Sequence, residues 1–258
     1  MENINELIIT ILAAGHGKRM KSDLPKVLHK VNDEPMLVSI IKKSLLCDPL
    51  FIILVVSNDN SKIVSDCVKI YFQDVSIQKK IKYAVQEVPL GTGDAAKSTL
   101  PLLKNYPTSY NLILNGDSPL ISIQTLKSLK EHAFINKSDI LITSIDKEDP
   151  TGCGRILINK DGKFMKIVEE KDCNDDQRSI KEINCGIYIV KVKTLQKFLP
   201  KIDDNNAQKE YYLTDIVKLY RKGGDDNISL FKLGDDKQNE IFNVNTKEEL
   251  DRINNLFI

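Results

Sequence analysis

The chain has 258 residues and a mass of 29.2 kDa, enough to bury one large α/β core or two small ones. Its 37 basic and 36 acidic residues leave a formal net charge of +1, which supplies no broad cationic field for nucleic acid or for an anionic membrane. No apolar run approaches the length of a membrane span and no leader-like segment opens the chain, so we expect a soluble cytoplasmic protein with small-molecule partners, binding neither nucleic acid nor membrane.

The first predicted element is a strand, Leu7 to Leu12, and residues 12–26 follow it as Leu-Ala-Ala-Gly-His-Gly-Lys-Arg-Met-Lys-Ser-Asp-Leu-Pro-Lys. Gly15 and Gly17 allow a tight turn with exposed N–H groups, and Lys18, Arg19 and Lys26 add cations, a composition suited to cradling a polyphosphate. Neither the Walker spacing nor the three-glycine dinucleotide spacing fits, so the loop is a nucleotide loop of another class or a solvated basic turn. A helix over Met36 to Leu46, a strand over Phe51 to Val56 and a helix over Ser61 to Phe72 come next.

The strand Ile81 to Val85 runs into Gln86-Glu87-Val88-Pro89-Leu90-Gly91-Thr92-Gly93-Asp94-Ala95, a turn that opens a helix over Thr92 to Leu103. The Gln86 amide can donate and accept at once, as a pyrimidine edge requires. A short central strand, Leu112 to Leu114, ends in Asn115-Gly116-Asp117-Ser118. A carboxylate there suits a hard divalent cation and its phosphates, which makes Asp117 the leading metal-ligand candidate, with a capping role as the plainer reading. After the strand Ile140 to Ile145 the rhythm changes. From Pro150 to Val190 short strands, Phe164 to Val168 and Gly186 to Val190, alternate with turns such as Asp161-Gly162, the mark of an antiparallel subregion. Ile228 to Leu233 is a further strand, and Thr246 with Glu249 caps a helix over Thr246 to Phe257.

The alternation of continuous apolar strands with helices predicts an α/β fold, a Rossmann-like doubly wound, mostly parallel sheet. No linker or repeat divides the chain, so residues 1–258 are expected to form a single domain with an antiparallel subregion over about 118–225. Cys47, Cys67, Cys153, Cys173 and Cys185 are odd in number with no Cys-x-x-Cys pair, which argues for reduced thiols. His16, His29 and His132 lack metal-ligand spacing and read as ordinary residues.

Gly152-Cys153-Gly154-Arg155, Val168-Glu169-Glu170-Lys171-Asp172, Glu182-Ile183-Asn184-Cys185-Gly186, the run Asn206 to Asp215 and Asn243-Val244-Asn245 are each weak signals. Their order and spacing, taken with the earlier loops, resemble the uridylyltransferase half of the bacterial bifunctional enzymes that make UDP-N-acetylglucosamine. The resemblance runs from Leu12 to Asn245 and implies the nucleotide-diphospho-sugar transferase type of fold, with the antiparallel subregion binding sugar. It implies that Leu12, Ala13, Ala14, Gly15, Gln86, Gly91, Thr92, Asn115 and Gly116 hold the uridine nucleotide, with Arg19 and Lys26 on its phosphates in the catalytic role. It further implies that Gly154, Glu169 and Asn184 line the N-acetylglucosamine site and that Asp117 and Asn245 bind Mg2+. Lys18, Asp94, Asn115 and Asn243 stand where that family usually has Thr, His, Tyr and Gly.

The implied reaction joins UTP and N-acetylglucosamine 1-phosphate with release of diphosphate. The acetyl-transferring half of those enzymes has no counterpart in these residues, so no acetyl transfer is expected, and a monomer or weak homo-oligomer is expected in place of a trimer. Two alternatives stay open at the level of sequence: a sister nucleotidyltransferase with another sugar or base, and a non-catalytic sugar-nucleotide-binding module.

Overall fold

The computed structural model describes residues 6–15 and 17–257; His16 and the residues at either end lie outside it. In chain order the strands of the main sheet are β1 Leu7–Leu12, β2 Ile52–Ser57, β3 Ile81–Gln86, β4 Tyr110–Asn115, β5 Ile140–Asp146, β6 Arg155–Ile158, β7 Phe164–Val168, β8 Glu182–Lys191 and β9 Ile228–Lys232. The principal helices are α1 Met36–Leu45, α2 Ser61–Tyr71, α3 Thr92–Lys97, α4 Ile123–Ile135, α5 Val192–Phe198, α6 Asp215–Lys222 and α7 Lys247–Asn254.

The strands lie in the order β9-β5-β8-β4-β1-β2-β3, with β6 paired to β8 and β7 paired to β6 as a flap at the side. β1 pairs in parallel with β2 on one edge and with β4 on the other, and the register sets Leu12 beside both Val55 and Asn115. The chain steps from β1 out to β2 and β3 and then returns to place β4 on the opposite side. The crevice between the loops that follow β1 and β4 is therefore the topological switch point, where α/β sheets bind ligands.

The continuous apolar runs of the central strands follow from helices on both faces. Ile9, Ile11, Leu54, Val56, Leu112 and Leu114 face one core with Ile40, Ile41, Val64, Val68, Leu126 and Leu129 of α1, α2 and α4. Their neighbours Ile8, Ile53, Val55 and Ile113 face the other with Ala95, Ala96, Leu195, Phe198, Ile216 and Tyr220 of α3, α5 and α6. A third, smaller cluster of Met20, Val31, Met36, Val244, Leu250 and Ile253 fastens the glycine-loop helical turn and α7 together.

Two sequence expectations need correction, and four elements had no predicted counterpart. The helix predicted over Thr92 to Leu103 breaks after Lys97 and restarts at Leu100–Leu103, because Pro101 has no N–H to give an unbroken helix and is tolerated only in a first turn. Gly186 to Val190 is the second half of β8, and it does not stay in the antiparallel flap: it inserts between β4 and β5, antiparallel to both. Ile187 and Ile189 feed one core while Tyr188 and Val190 feed the other, which earns the strand its central place. The elements without a predicted counterpart are helices α4, α5 and α6 and strand β6.

Candidate active site

At the carboxyl ends of β1, β3 and β4 a cavity of about 240 Å³ is walled by Leu12, Ala14, Gly15, Lys26, Gln86, Gly91, Thr92, Asn115 and Asp117. A second, of about 320 Å³, is walled by Gly154, Glu169, Asn184, Tyr188 and Asn243, and it shares Leu12, Thr92, Asn115 and Glu210 with the first. The two therefore meet over the ends of β1 and β4.

Ala13 and Gly116, expected at the nucleotide, line neither cavity. Ala13 is packed in the core; its N–H donates to the Val55 carbonyl at 2.8 Å and its own carbonyl accepts from Asn60 Nδ2 at 2.9 Å. Gly116 is a packing glycine: a Cβ there would meet the Leu12 carbonyl oxygen at 2.8 Å and Val27 Cγ1 at 3.1 Å. Gly17, at φ +58°, has a similar reason, since a Cβ would fall 2.6 Å from that of Lys26. Gly15 is exposed with open space around it, so it alone in the loop has no packing partner to explain it.

Lys26 is the hinge of the site. Its Nζ donates to Asp117 Oδ2 in a close ion pair and to Asn245 Oδ1 at 3.0 Å, so one cation bridges both expected metal ligands. Asn245 arrives from far along the chain because Val244, fully buried in the third cluster, donates its N–H to the Asp117 carbonyl at 2.9 Å. The hydroxyl of Ser118 donates to Asn243 Oδ1 beside it, which gives the Asn at that position a structural use. Asp117 Oδ1 is buried with no hydrogen-bond partner, a costly arrangement unless something else supplies positive charge. Among the described residues no group of three or more His, Cys, Asp or Glu could hold a metal ion. One carboxylate and one amide oxygen suit Mg2+, which retains water and substrate phosphates in its shell and needs no protein cage.

Arg19, expected beside Lys26, faces elsewhere. It is exposed on the short helical turn Lys18–Met20 and lines a third cavity of about 290 Å³ with Lys147, Asn184, Asn243 and Asn245. That cavity adjoins the second through Gly152, Cys153, Asn184, Cys185 and Asn243.

In the second cavity Glu169 Oε1 accepts from Thr214 Oγ1 at 2.8 Å. Burial pushes its carboxyl above the usual carboxylate range; the Thr214 hydrogen bond opposes this, and Asp172, Asp215 and Glu210 add to it. Gly154 leaves room for that carboxylate, because a Cβ would sit 3.2 Å from Glu169 Oε2. Asn184 is braced at both ends: Nδ2 donates to the Tyr188 hydroxyl at 2.5 Å and Oδ1 accepts from the Gly186 N–H at 3.2 Å. Tyr188 is buried, and its hydroxyl is held protonated far above its ordinary range by burial.

Two structural supports escaped the sequence reading. The segment after Asn206 clamps the Gly-Thr-Gly turn: Gly93 N–H donates to the Tyr211 carbonyl at 2.7 Å, Tyr211 N–H to that of Leu90 at 2.7 Å, and Leu213 N–H to Thr92 Oγ1 at 3.1 Å. Thr92 thus acts as a staple between the two cavities, and Glu210 is carried into both. Arg155 is 1% exposed and pairs with Glu170 at 2.8 Å, fixing the glycine turn before it. Both rest on partners distant in sequence, and only the Gly-x-Gly-Arg and Asn206 to Asp215 strings pointed towards them.

Cavities at the switch point of an α/β sheet, one built on a glycine-rich basic loop and a strand-end carboxylate, define a nucleotide-handling transferase. A model of the nucleotidyl transferase family matches residues 9–236, and the chain belongs to that family. It is 48% identical over 249 residues to the probable UDP-N-acetylglucosamine pyrophosphorylase of Acanthamoeba polyphaga mimivirus, covering 96% of this chain and 95% of that protein. It is also 38% identical over 252 residues to the bifunctional protein GlmU of Caldanaerobacter subterraneus subsp. tengcongensis, covering 96% of this chain and 50% of that protein, so it spans about half the length of such bifunctional relatives. In fold it matches the crystal structure of a putative glucose-1-phosphate thymidylyltransferase from Bacillus anthracis, with a TM-score of 0.76 at 19% identity over 97% of this chain and 94% of that one. No helix among the described residues is long and apolar enough to cross a membrane.

Proposed function

We propose that the protein is a Mg2+-dependent UDP-N-acetylglucosamine diphosphorylase, which joins UTP to N-acetyl-α-D-glucosamine 1-phosphate. The observation that carries this reading is the meeting of two cavities at Leu12 and Asn115, with Lys26, Asp117 and Asn245 gathered beside that junction. A reaction between two bound phosphates needs such a junction. The name and near full-length coverage of the mimiviral relative support the same substrates.

An oxygen of the sugar phosphate attacks the α-phosphorus of UTP in line. The new P–O bond forms as the bond to the β-phosphate oxygen breaks, and diphosphate leaves with the electron pair. A phosphate monoester is anionic at neutral pH, so no protein base or nucleophile is required. Asp117 and Asn245 are the residues that would hold Mg2+, which when bound neutralises phosphate charge. Lys26 meets the charge that builds on the α-phosphate, and Arg19, on the third cavity that adjoins the second, meets the departing diphosphate. Gln86 and Gly91 face the base, while Glu169 accepts from sugar hydroxyls and the braced Asn184 meets the N-acetyl group. A cytoplasmic setting agrees with five free cysteines.

Diphosphate release by the purified protein tests the reading, with a panel of UTP, dTTP, CTP and GTP against N-acetylglucosamine, glucosamine and glucose 1-phosphates. The expected result is turnover that needs Mg2+ and is fastest with UTP and N-acetylglucosamine 1-phosphate. Comparable kcat/KM for all three sugars would retain a nucleotidyltransferase but remove the named product.

A further inference from the structure

We infer that Asp94 is a positioning residue that locks the amide of Gln86 in one orientation and thereby sets the preference for uracil over cytosine. The inference rests on the first cavity being the nucleotide site.

Gln86, the last residue of β3, is 6% exposed and sits in the wall of that cavity. Its Nε2 donates to the Gly91 carbonyl at 3.1 Å and to Asp94 Oδ2 at 2.9 Å. An amide nitrogen carries two hydrogens, so both are spent. The reverse orientation would press the amide oxygen against a carbonyl and a carboxylate, neither of which can donate. Two acceptors on one side therefore fix the amide by chemistry, and Oε1 is the polar atom left for a ligand. The Gly91 carbonyl is a weak lock by itself, since backbone carbonyls are neutral; a carboxylate is the stronger acceptor. Asp94 does not line the cavity, so it acts through Gln86 and not on the ligand.

An acceptor in that wall suits the N3–H of uracil. Cytosine presents a bare N3 lone pair at the same ring position, and two acceptors face to face leave both unpaired as the base is desolvated. A freely turning glutamine could serve either base. The Asp at this position, where the family resembled usually has His, thus has a use: it converts an ambivalent amide into a committed acceptor.

The test is equilibrium binding of UTP and of CTP, each alone, to the intact wild-type, Asp94→Ala and Asp94→Asn proteins by calorimetry, with kcat and KM for both nucleotides alongside. Wild type should favour UTP. Asp94→Ala should lower the UTP to CTP affinity ratio about tenfold, chiefly in KM with kcat retained, as expected for one charge-assisted hydrogen bond. Asp94→Asn is neutral and its amide can turn to donate instead, so it should keep only part of the preference, with a ratio between those of Asp94→Ala and wild type. If Asp94→Ala fails to fold, Asp94→Ser, whose side chain is one atom too short to span the gap, should show the same loss. An unchanged ratio in a folded Ala or Ser variant, or a wild type indifferent to the base, overturns the inference. A wild type that discriminates between the nucleotides and loses this with Asp94→Ala, yet releases no diphosphate with any sugar phosphate, would sink the proposed reaction while the role of Asp94 stands.

Discussion

Lys26 joins the two expected metal ligands, and its removal leaves Asp117, whose Oδ1 is already buried and unpartnered, with no cation beside it. Lys26→Met should therefore lower kcat about 10²-fold or more in a diphosphate-release assay. The same variant should gain more in Tm from added Mg2+ than wild type does, because the ion would replace the missing charge at Asp117. Equal gains would place Mg2+ elsewhere. Glu169 gives a pH signature of two opposite signs. Its carboxyl is held above the usual range, by burial first, so the protonated form favours the folded state and that contribution fades as pH rises through the raised value. Sugar binding runs the other way, since the carboxylate is the acceptor. KM for the sugar phosphate should rise as pH falls through a value above the ordinary carboxylate pKa, and Glu169→Gln should remove the dependence while raising Tm at neutral pH. A pH profile identical in wild type and Glu169→Gln would refute that assignment.

At the scale of elements, the turn before α3 and the segment 210–213 act as one unit. Gly91 sits at φ +117° with the Tyr211 carbonyl oxygen 2.6 Å from where a Cβ would fall, and Gly93 meets the same oxygen at 2.9 Å. Gly93→Ala should cost about 1–3 kcal/mol of stability by urea unfolding. It should also raise KM for both substrates together, since the clamp carries Thr92 and Glu210 into both cavities. A rise confined to one substrate would show the cavities to be independent. At the far end of the chain, α7 begins with a reciprocal capping box between Thr246 and Glu249. Glu249 Oε2 also accepts from the Asn245 N–H at 2.7 Å. Thr246→Ala should cost about 1 kcal/mol and lower kcat modestly through Asn245. Full activity with the expected loss of stability would uncouple α7 from the site.

Across the whole molecule, protection should follow the sheet. β1 and β4 are paired on both edges and covered on both faces, so their amides should exchange slowest, and those of the exposed Lys18 and Arg19 fastest. Hydrogen exchange followed by mass spectrometry checks this; fast exchange in β4 would contradict the described packing.

What the sequence by itself determined was local. Apolar runs at Leu7 to Leu12, Phe51 to Val56 and Leu112 to Leu114 are unbroken because both of their faces are buried, so strand identity and parallel pairing were legible in the unbroken pattern and its alternation with helices. Thr246 with Glu249 likewise announces a helix start through bonds that span three residues. The glycine-rich loop and Asp117 were legible as chemistry, though not as partners. Tertiary structure decided the rest, because the contacts concerned join distant residues and leave no local pattern. The insertion of β8 between β4 and β5 depends on which strands pair, and period-two apolarity does not say that. The meeting of Lys26 with Asn245 depends on the third core cluster, and the placing of Arg19 on a different cavity from Lys26 depends on the turn that buries Met20. Asp94 is a nearer case: it stands eight residues from Gln86, and the role proposed for it depends on β3 and α3 bringing its carboxylate within 2.9 Å of Gln86.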